Sequence, residues 1–180
     1  AGPSSLAEPA REGYGVGVEY RVLGPVEVVD EGRACALGGD RQRLVLAVLL
    51  SRPNQVVRTD WLIDAVWGRA PPRTARKTLQ VYLARLRQAT ASDAIETSPA
   101  GYRLVATADT LDAIRFESLA EQGRTLLPNE PDHAADLLRQ ALGLWRGVPY
   151  GEFGDEPALQ PEIARLVDTR VGVLEDRLEA

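Results

Sequence analysis

"APPRTARKTLQVYLARLRQAT", residues 70–90, places Arg73, Arg76, Lys77, Arg85 and Arg87, with no acid among them, on one helix-like segment of a chain whose formal net charge is −5. Ala75, Leu79, Leu83 and Leu86 recur at helical spacing and predict a buried stripe, with Tyr82 beside it. Arg73, Arg76, Lys77, Gln80, Ala84, Arg85, Arg87 and Gln88 fall on the other faces. Read as 18 helical residues, the segment spans about 27 Å, enough to lie in a DNA major groove while its back packs on a core. Guanidinium groups suit that role because they stay charged and pair bidentately with phosphate or with guanine O6 and N7. Gln80 could read adenine by the same logic.

The surroundings support this. Upstream, "DRQRLVLAVLLSRP" from Asp40 to Pro53 predicts a helix capped by Asp40, with Leu44, Ala47, Val48 and Leu50 on its apolar face. "VVR" at 56–58 predicts a very short strand, and Thr59 is the expected cap of a second helix, "DWLIDAVWG", ended by Gly68. Downstream, "AIETSPAGYRLV" predicts a hairpin turning at Pro99 to Gly101, with Arg103 supplied at its tip. Three helices and a hairpin make a winged helix-turn-helix. Before them, Tyr20, Val22, Val26, Val28 and the turn at Asp30 to Gly32 predict a small antiparallel sheet. Residues 1–18, rich in Gly, Pro, Ser and Ala, are expected to be a flexible tail.

After Asp109 the pattern becomes purely helical. Phe116, Leu119, Ala120, Gly123, Leu126 and Leu127 predict one stripe, and Ala134, Leu137, Leu138, Ala141, Leu142 and Trp145 a second, antiparallel to it. Leu159, Ile163, Leu166, Val167, Leu174 and Leu178 predict a long third helix, as at the start of a helical-repeat array. With no Met in the chain and an apolar pattern still running at Leu178, the expectation is a fragment with a truncated helical domain.

Charge follows the same division. Residues 20–105 hold 13 Lys or Arg against 8 Asp or Glu, whereas residues 106–180 hold 7 against 15. That segregation suggests a polyanion-binding module beside a part with another task. The longest apolar run, Leu44 to Leu50, is too short to cross a bilayer, and the single Cys35 permits no internal disulfide, which favours a cytoplasmic setting.

Catalysis has little to build on. His133 is the only histidine and Cys35 has no histidine near it in sequence, so a solvated ring and a packed thiol are the expected roles. "LGGD" at 37–40 reads as a turn, since neither a dinucleotide fingerprint nor a Walker Lys accompanies it. Glu152, Asp155 and Glu156 lie in a Gly- and Pro-rich link with no apolar run to tune them. The chain is read as a non-enzyme with no cofactor and no metal. A helical-repeat scaffold for protein partners, with the basic part as a docking domain, is the alternative reading.

"YRVLGPVEV", "LGGDRQRLVLAVLL", "LIDAVWGRAPPRTARKTLQVYLARLRQAT" and "GYRLV" resemble the amino-terminal domain of the SARP family, the Streptomyces antibiotic regulatory proteins. "RFESLAEQGRTLL", "AADLLRQALGLWRGVPYGEF" and "LEDRLEA" resemble the bacterial transcriptional activator domain that follows it in that family. The resemblance implies a mainly α fold with small antiparallel β elements: an OmpR-type winged helix-turn-helix over 19–106, then an all-α, TPR-like domain over 107–180. It implies a transcription activator of secondary-metabolite (antibiotic) biosynthesis genes, cytoplasmic and nucleoid-associated. Such activators bind direct repeats of double-stranded DNA near a promoter's −35 element as side-by-side dimers and recruit RNA polymerase holoenzyme. By position it carries DNA contacts to Lys77, Thr78, Tyr82, Arg85 and Arg87, a minor-groove role to Arg103 and a backbone contact to Trp67. Arg73, Thr74, Arg76, Gln80 and Val81 are counted with the same surface, and the loop Gly68, Arg69, Ala70, Pro71, Pro72 corresponds to one that meets polymerase. Ala84 and Gln88 stand where relatives are often basic, which implies a smaller phosphate footprint.

Overall fold

The computed structural model describes residues 17–90 and 93–179, so the expected tail lies outside the described residues up to position 16. In chain order it contains β1 (Glu19–Arg21), β2 (Glu27–Asp30), β3 (Arg33–Ala34), α1 (Asp40–Leu50), β4 (Val57–Arg58), α2 (Thr59–Trp67) and α3 (Ala75–Ala89). There follow β5 (Ile95–Ser98), β6 (Gly101–Leu104), α4 (Asp112–Leu126), α5 (Pro131–Gly143) and α6 (Gln160–Glu179). The fold is mainly α with two small antiparallel sheets: a winged helix-turn-helix followed by a helical part.

The first sheet has the order β1-β2-β3. Its second turn holds Glu31 and Gly32 at φ 48° and 79°, the left-handed pair that a two-residue hairpin needs. The second sheet has the order β4-β6-β5, so the short strand before α2 becomes the third strand of the wing. Gly101 pairs there with Arg58, and a Cβ on it would stand 2.0 Å from the Val57 carbonyl oxygen. Only glycine fits that crossing.

α1 is the centre of the winged helix. None of Leu44 to Leu50 is more than 5% exposed, because α2, α3 and β6 all pack on it. The expected single apolar face is thus a helix buried on every side, which explains why its apolar residues run on without a period. Two expected caps shift by one residue. Gly39, with extended backbone, precedes α1, and Asp40 is its first helical residue with no capping bond. Arg58 likewise precedes α2, which begins at Thr59. Both acids in these first turns, Asp40 and Asp60, still complement the helix dipoles.

In the helical part α4 and α5 pack through Phe116, Ala120 and Gly123 against Ala134, Leu138 and Ala141. A Cβ on Gly123 would meet the Leu138 side chain at 2.7 Å, so the missing side chain sets the closeness of the pair. Trp145 sets its ring edge-to-face on Phe116 at 5.3 Å. Along the third helix the buried set is Leu159, Leu166 and Val173, seven residues apart. This corrects the expected stripe, since Val167, Leu174 and Leu178 are 41%, 43% and 89% exposed. The face packed on α4 and α5 runs through Val173, one position out of phase with Leu174.

The two parts are joined by a buried polar clasp. The Asp112 carboxylate, 3% exposed, accepts the Val22 and Leu23 amides at 2.8 and 3.1 Å. The Arg146 amide donates to the Leu23 carbonyl at 2.7 Å, the Tyr150 amide to Val22 at 2.8 Å and the Tyr20 amide to Thr110 at 2.7 Å. The Arg146 guanidinium reaches Glu27 at 2.9 Å and lies 3.7 Å from Asp112. The backbone groups of Tyr20 and of Val22 and Leu23, just past the end of β1, thus find their partners in the helical part.

Asp112→Ala orphans two buried amides, and it is expected to lower stability by about 2–4 kcal/mol in urea denaturation. Burial holds the Asp112 carboxyl above its usual range, although the Val22 and Leu23 amides and Arg146 pull it down. The folded state therefore keeps this proton longer than the unfolded chain. The margin of wild type over Asp112→Asn is expected to narrow as pH rises from the ordinary aspartate range through the folded value, in urea titrations at stepped pH.

Candidate nucleic-acid interface

α3 buries Ala75, Leu79, Leu83 and Leu86, each no more than 4% exposed, against α1 and α2. With about 100° between successive residues, the opposite strip is Lys77, Val81, Ala84 and Gln88, all exposed. Arg76, Gln80 and Arg87 lie along one flank; Thr78, Tyr82 and Arg85 lie along the other. The helix is shorter than expected. Arg73 and Thr74 precede it, with Thr74 as its N-cap residue, and its 15 residues span about 22 Å. The reason is the connector: Pro71 and Pro72 fix an extended approach, and the Ala75 amide closes a turn onto the Pro72 carbonyl at 2.9 Å. Gly68 ends α2 at φ 66°, and all five residues of the loop Gly68 to Pro72 are exposed.

The wing stands beside α3. β5 and β6 pair in the register Glu96↔Arg103, Thr97↔Tyr102 and Ser98↔Gly101, which puts Pro99 and Ala100 at the tip. Arg103 is therefore not a tip residue, as the sequence reading had it, but the third residue of β6, opposite Glu96. Arg87 ties the wing to the helix: its Nε donates to the Ile95 carbonyl and its Nη2 to the Thr97 hydroxyl, both at 2.8 Å. Trp67, at the end of α2, stacks parallel on Tyr82 with centroids 6.1 Å apart.

The expected site residues thus share one face, but their cations are in two conditions. Arg76 donates to Asp60 at 2.6 Å, Arg103 donates from Nε and Nη2 to Glu96 at 2.9 and 2.5 Å, and Arg87 is engaged by the wing. Arg73, Lys77 and Arg85 have no ion-pair partner among the described residues. Sequence reasoning missed Asp60 and Glu96 because each partner lies on another element. Glu96 could have been found from the hairpin register alone, since a turn at Pro99–Ala100 sets it across from Arg103.

Elsewhere, His133 is exposed and lies 3.4 Å from Glu130, and Glu152 pairs with Arg43 of α1. Burial pushes the Cys35 thiol up, the reverse of an activated nucleophile. Among the described residues no group of three or more His, Cys, Asp or Glu is placed to hold a metal ion, and no helix is long and apolar enough to cross a membrane.

A winged helix-turn-helix with an exposed basic helix, clasped to a helical part, defines the class: a two-part transcription regulator. Residues 36–104 match the family described as "Transcriptional regulatory protein, C terminal", and residues 111–180 match "Bacterial transcriptional activator domain". The chain belongs to the SARP family of bacterial transcription regulators. It is 36% identical to the regulatory protein AfsR of Streptomyces coelicolor over 95% of this chain and 17% of that protein. It is 33% identical to the regulatory protein DnrI of Streptomyces peucetius over 90% of this chain and 64% of that one. In structure it is similar to Mycobacterium tuberculosis EmbR, solved with a low-affinity phosphopeptide, at a TM-score of 0.83 and 29% identity, covering 89% of this chain and 44% of EmbR. The chain spans less than two thirds of the length of each of these relatives.

Arg87→Ala removes two bonds between helix and wing. Hydrogen exchange at the Ile95–Ser98 amides is expected to speed up by roughly tenfold, as loss of about 1–2 kcal/mol of local protection, while α4 and α5 amides keep their wild-type rates.

Proposed function

We propose that the chain is the DNA-reading part of a transcription activator. The observation that carries this reading is α3 itself: its apolar stripe is wholly covered, and its outward strip and flanks carry Arg76, Lys77, Gln80 and Arg85 into solvent beside a wing, with Arg73 exposed just before its first turn. A helix of this length fits the major groove, and Arg103 on β6 fits the adjacent minor groove. Lys77 serves as a point charge for phosphate; the planar fork of Arg85 suits a guanine edge. Trp67, stacked on Tyr82 at the end of α2, fits a contact to the DNA backbone. In this reading two protomers sit side by side on a direct repeat near the −35 element. The loop Gly68 to Pro72 meets RNA polymerase holoenzyme, and the helical part, carrying most of the acid, stays clear of the duplex. Control of secondary-metabolite genes and a cytoplasmic, nucleoid-associated place follow from the family resemblance.

Binding to a duplex selected from a randomised pool, followed by fluorescence anisotropy across a salt series, tests the reading. Log affinity should fall linearly with log salt, and Lys77→Ala should weaken selected and random duplexes alike while flattening the slope by about 0.9. Arg85→Ala should cost about 1–3 kcal/mol on the selected duplex and far less on random DNA. If no duplex is bound at any salt and a protein partner is retained after nuclease treatment, the chain is a scaffold for protein partners instead.

A further inference from the structure

Two arginines of the proposed DNA face already hold an anionic oxygen. Arg76 Nη2 sits 2.6 Å from Asp60 Oδ1, with the two side chains 63% and 69% exposed. Arg103 grips Glu96 Oε2 with both Nε and Nη2, the fork it would offer a phosphate, and this pair is about half exposed. Neither pair is buried. Exposed pairs of this kind contribute only about 0–1 kcal/mol, so solvent-side exchange of partner is cheap. Each acid also sits on an element that the duplex must approach: Asp60 in the first turn of α2, Glu96 on the outer strand of the wing.

We infer that Asp60 and Glu96 are built-in competitors for phosphate, which lower the sequence-independent affinity of the surface and make Arg76 and Arg103 exchange partners on binding. This rests on the DNA reading above. When a phosphate oxygen displaces the carboxylate, the arginine's charge is neutralised before and after. The released carboxylate must then gather cations or face the DNA backbone. Counterion release is correspondingly smaller than for a cation with no ion-pair partner among the described residues, such as Lys77 or Arg85. The surface carries the geometry of five or six phosphate-ready cations with the non-specific grip of fewer. Selectivity for a site then leans on groups that the acids do not hold.

The test uses wild type, Asp60→Asn, Glu96→Gln and, as control, Asp64→Asn on a 20-base-pair random-sequence duplex at about 0.05–0.3 M salt. Asp64 is exposed on the same helix as Asp60 and has no ion pair among the described residues, so it measures the plain effect of removing one negative charge. Asp60→Asn and Glu96→Gln should each tighten binding roughly two- to fivefold beyond the control, and steepen the log–log slope by up to about 0.9. In a double-mutant cycle, Arg76→Ala should lose more affinity in the Asp60→Asn background than in wild type. Circular dichroism of every variant should overlay, since all the replaced groups are exposed. If wild type binds the duplex and neither variant exceeds Asp64→Asn in affinity or slope, the inference is overturned and the DNA reading stands. If wild type binds no duplex, the DNA reading itself fails and takes the inference with it.

Discussion

The burial of α1 on all sides is the constraint from which the rest follows. A helix with seven consecutive apolar residues has no solvent face, so other elements must enclose it, and α2, α3 and β6 are the ones that do. α3 spends Ala75, Leu79, Leu83 and Leu86 on that task, and the rotation of an α-helix then sends Lys77, Val81, Ala84 and Gln88 outward without further instruction. β6 spends Tyr102 and Leu104 on the same core, which leaves Arg103 between them on the open side. A polar surface that could serve recognition is thus the by-product of how one central helix is covered.

On that surface, charge is organised at a finer grain than the net excess of cations over residues 20–105 suggests. Engaged cations and cations without an ion-pair partner among the described residues stand side by side on and just before α3. Arg87 joins helix to wing, Arg76 leans back on α2, and Arg73, Lys77 and Arg85 point to solvent. Cross-strand pairing makes Glu96 and Arg103 neighbours by register alone, whereas Asp60 and Arg76 meet because α2 and α3 pack together. The residue type is the same in each case; the role differs with the partner.

Much of this was legible before any coordinates. The buried stripe of α3, the wing strands and the helical texture after Asp109 all follow from periodicity and turn chemistry, and the structure has them within a residue or two. What escaped was anything decided by a second element. Nothing local to Asp112 signals its burial, because the two amides it accepts, Val22 and Leu23, come from the turn after β1, about ninety residues earlier. Val173 was passed over for Leu174, since one position of helix phase decides which of two adjacent aliphatic residues meets α4 and α5. Asp40 and Thr59 carry capping side chains, but the turn geometry before each helix gives the N-cap position to Gly39 and Arg58.

The clasp of Asp112, Arg146 and Tyr150 on Val22 and Leu23 has a mechanical consequence. A linker of loose residues would let the helical half wander about its attachment, whereas these bonds make it a stiff lever on the winged helix. On a duplex, each base pair of displacement turns such a lever by about 35° around the DNA axis. Moving a binding site by half a helical turn would therefore swing the acidic arm to the far side of the double helix, out of reach of anything waiting on the near one.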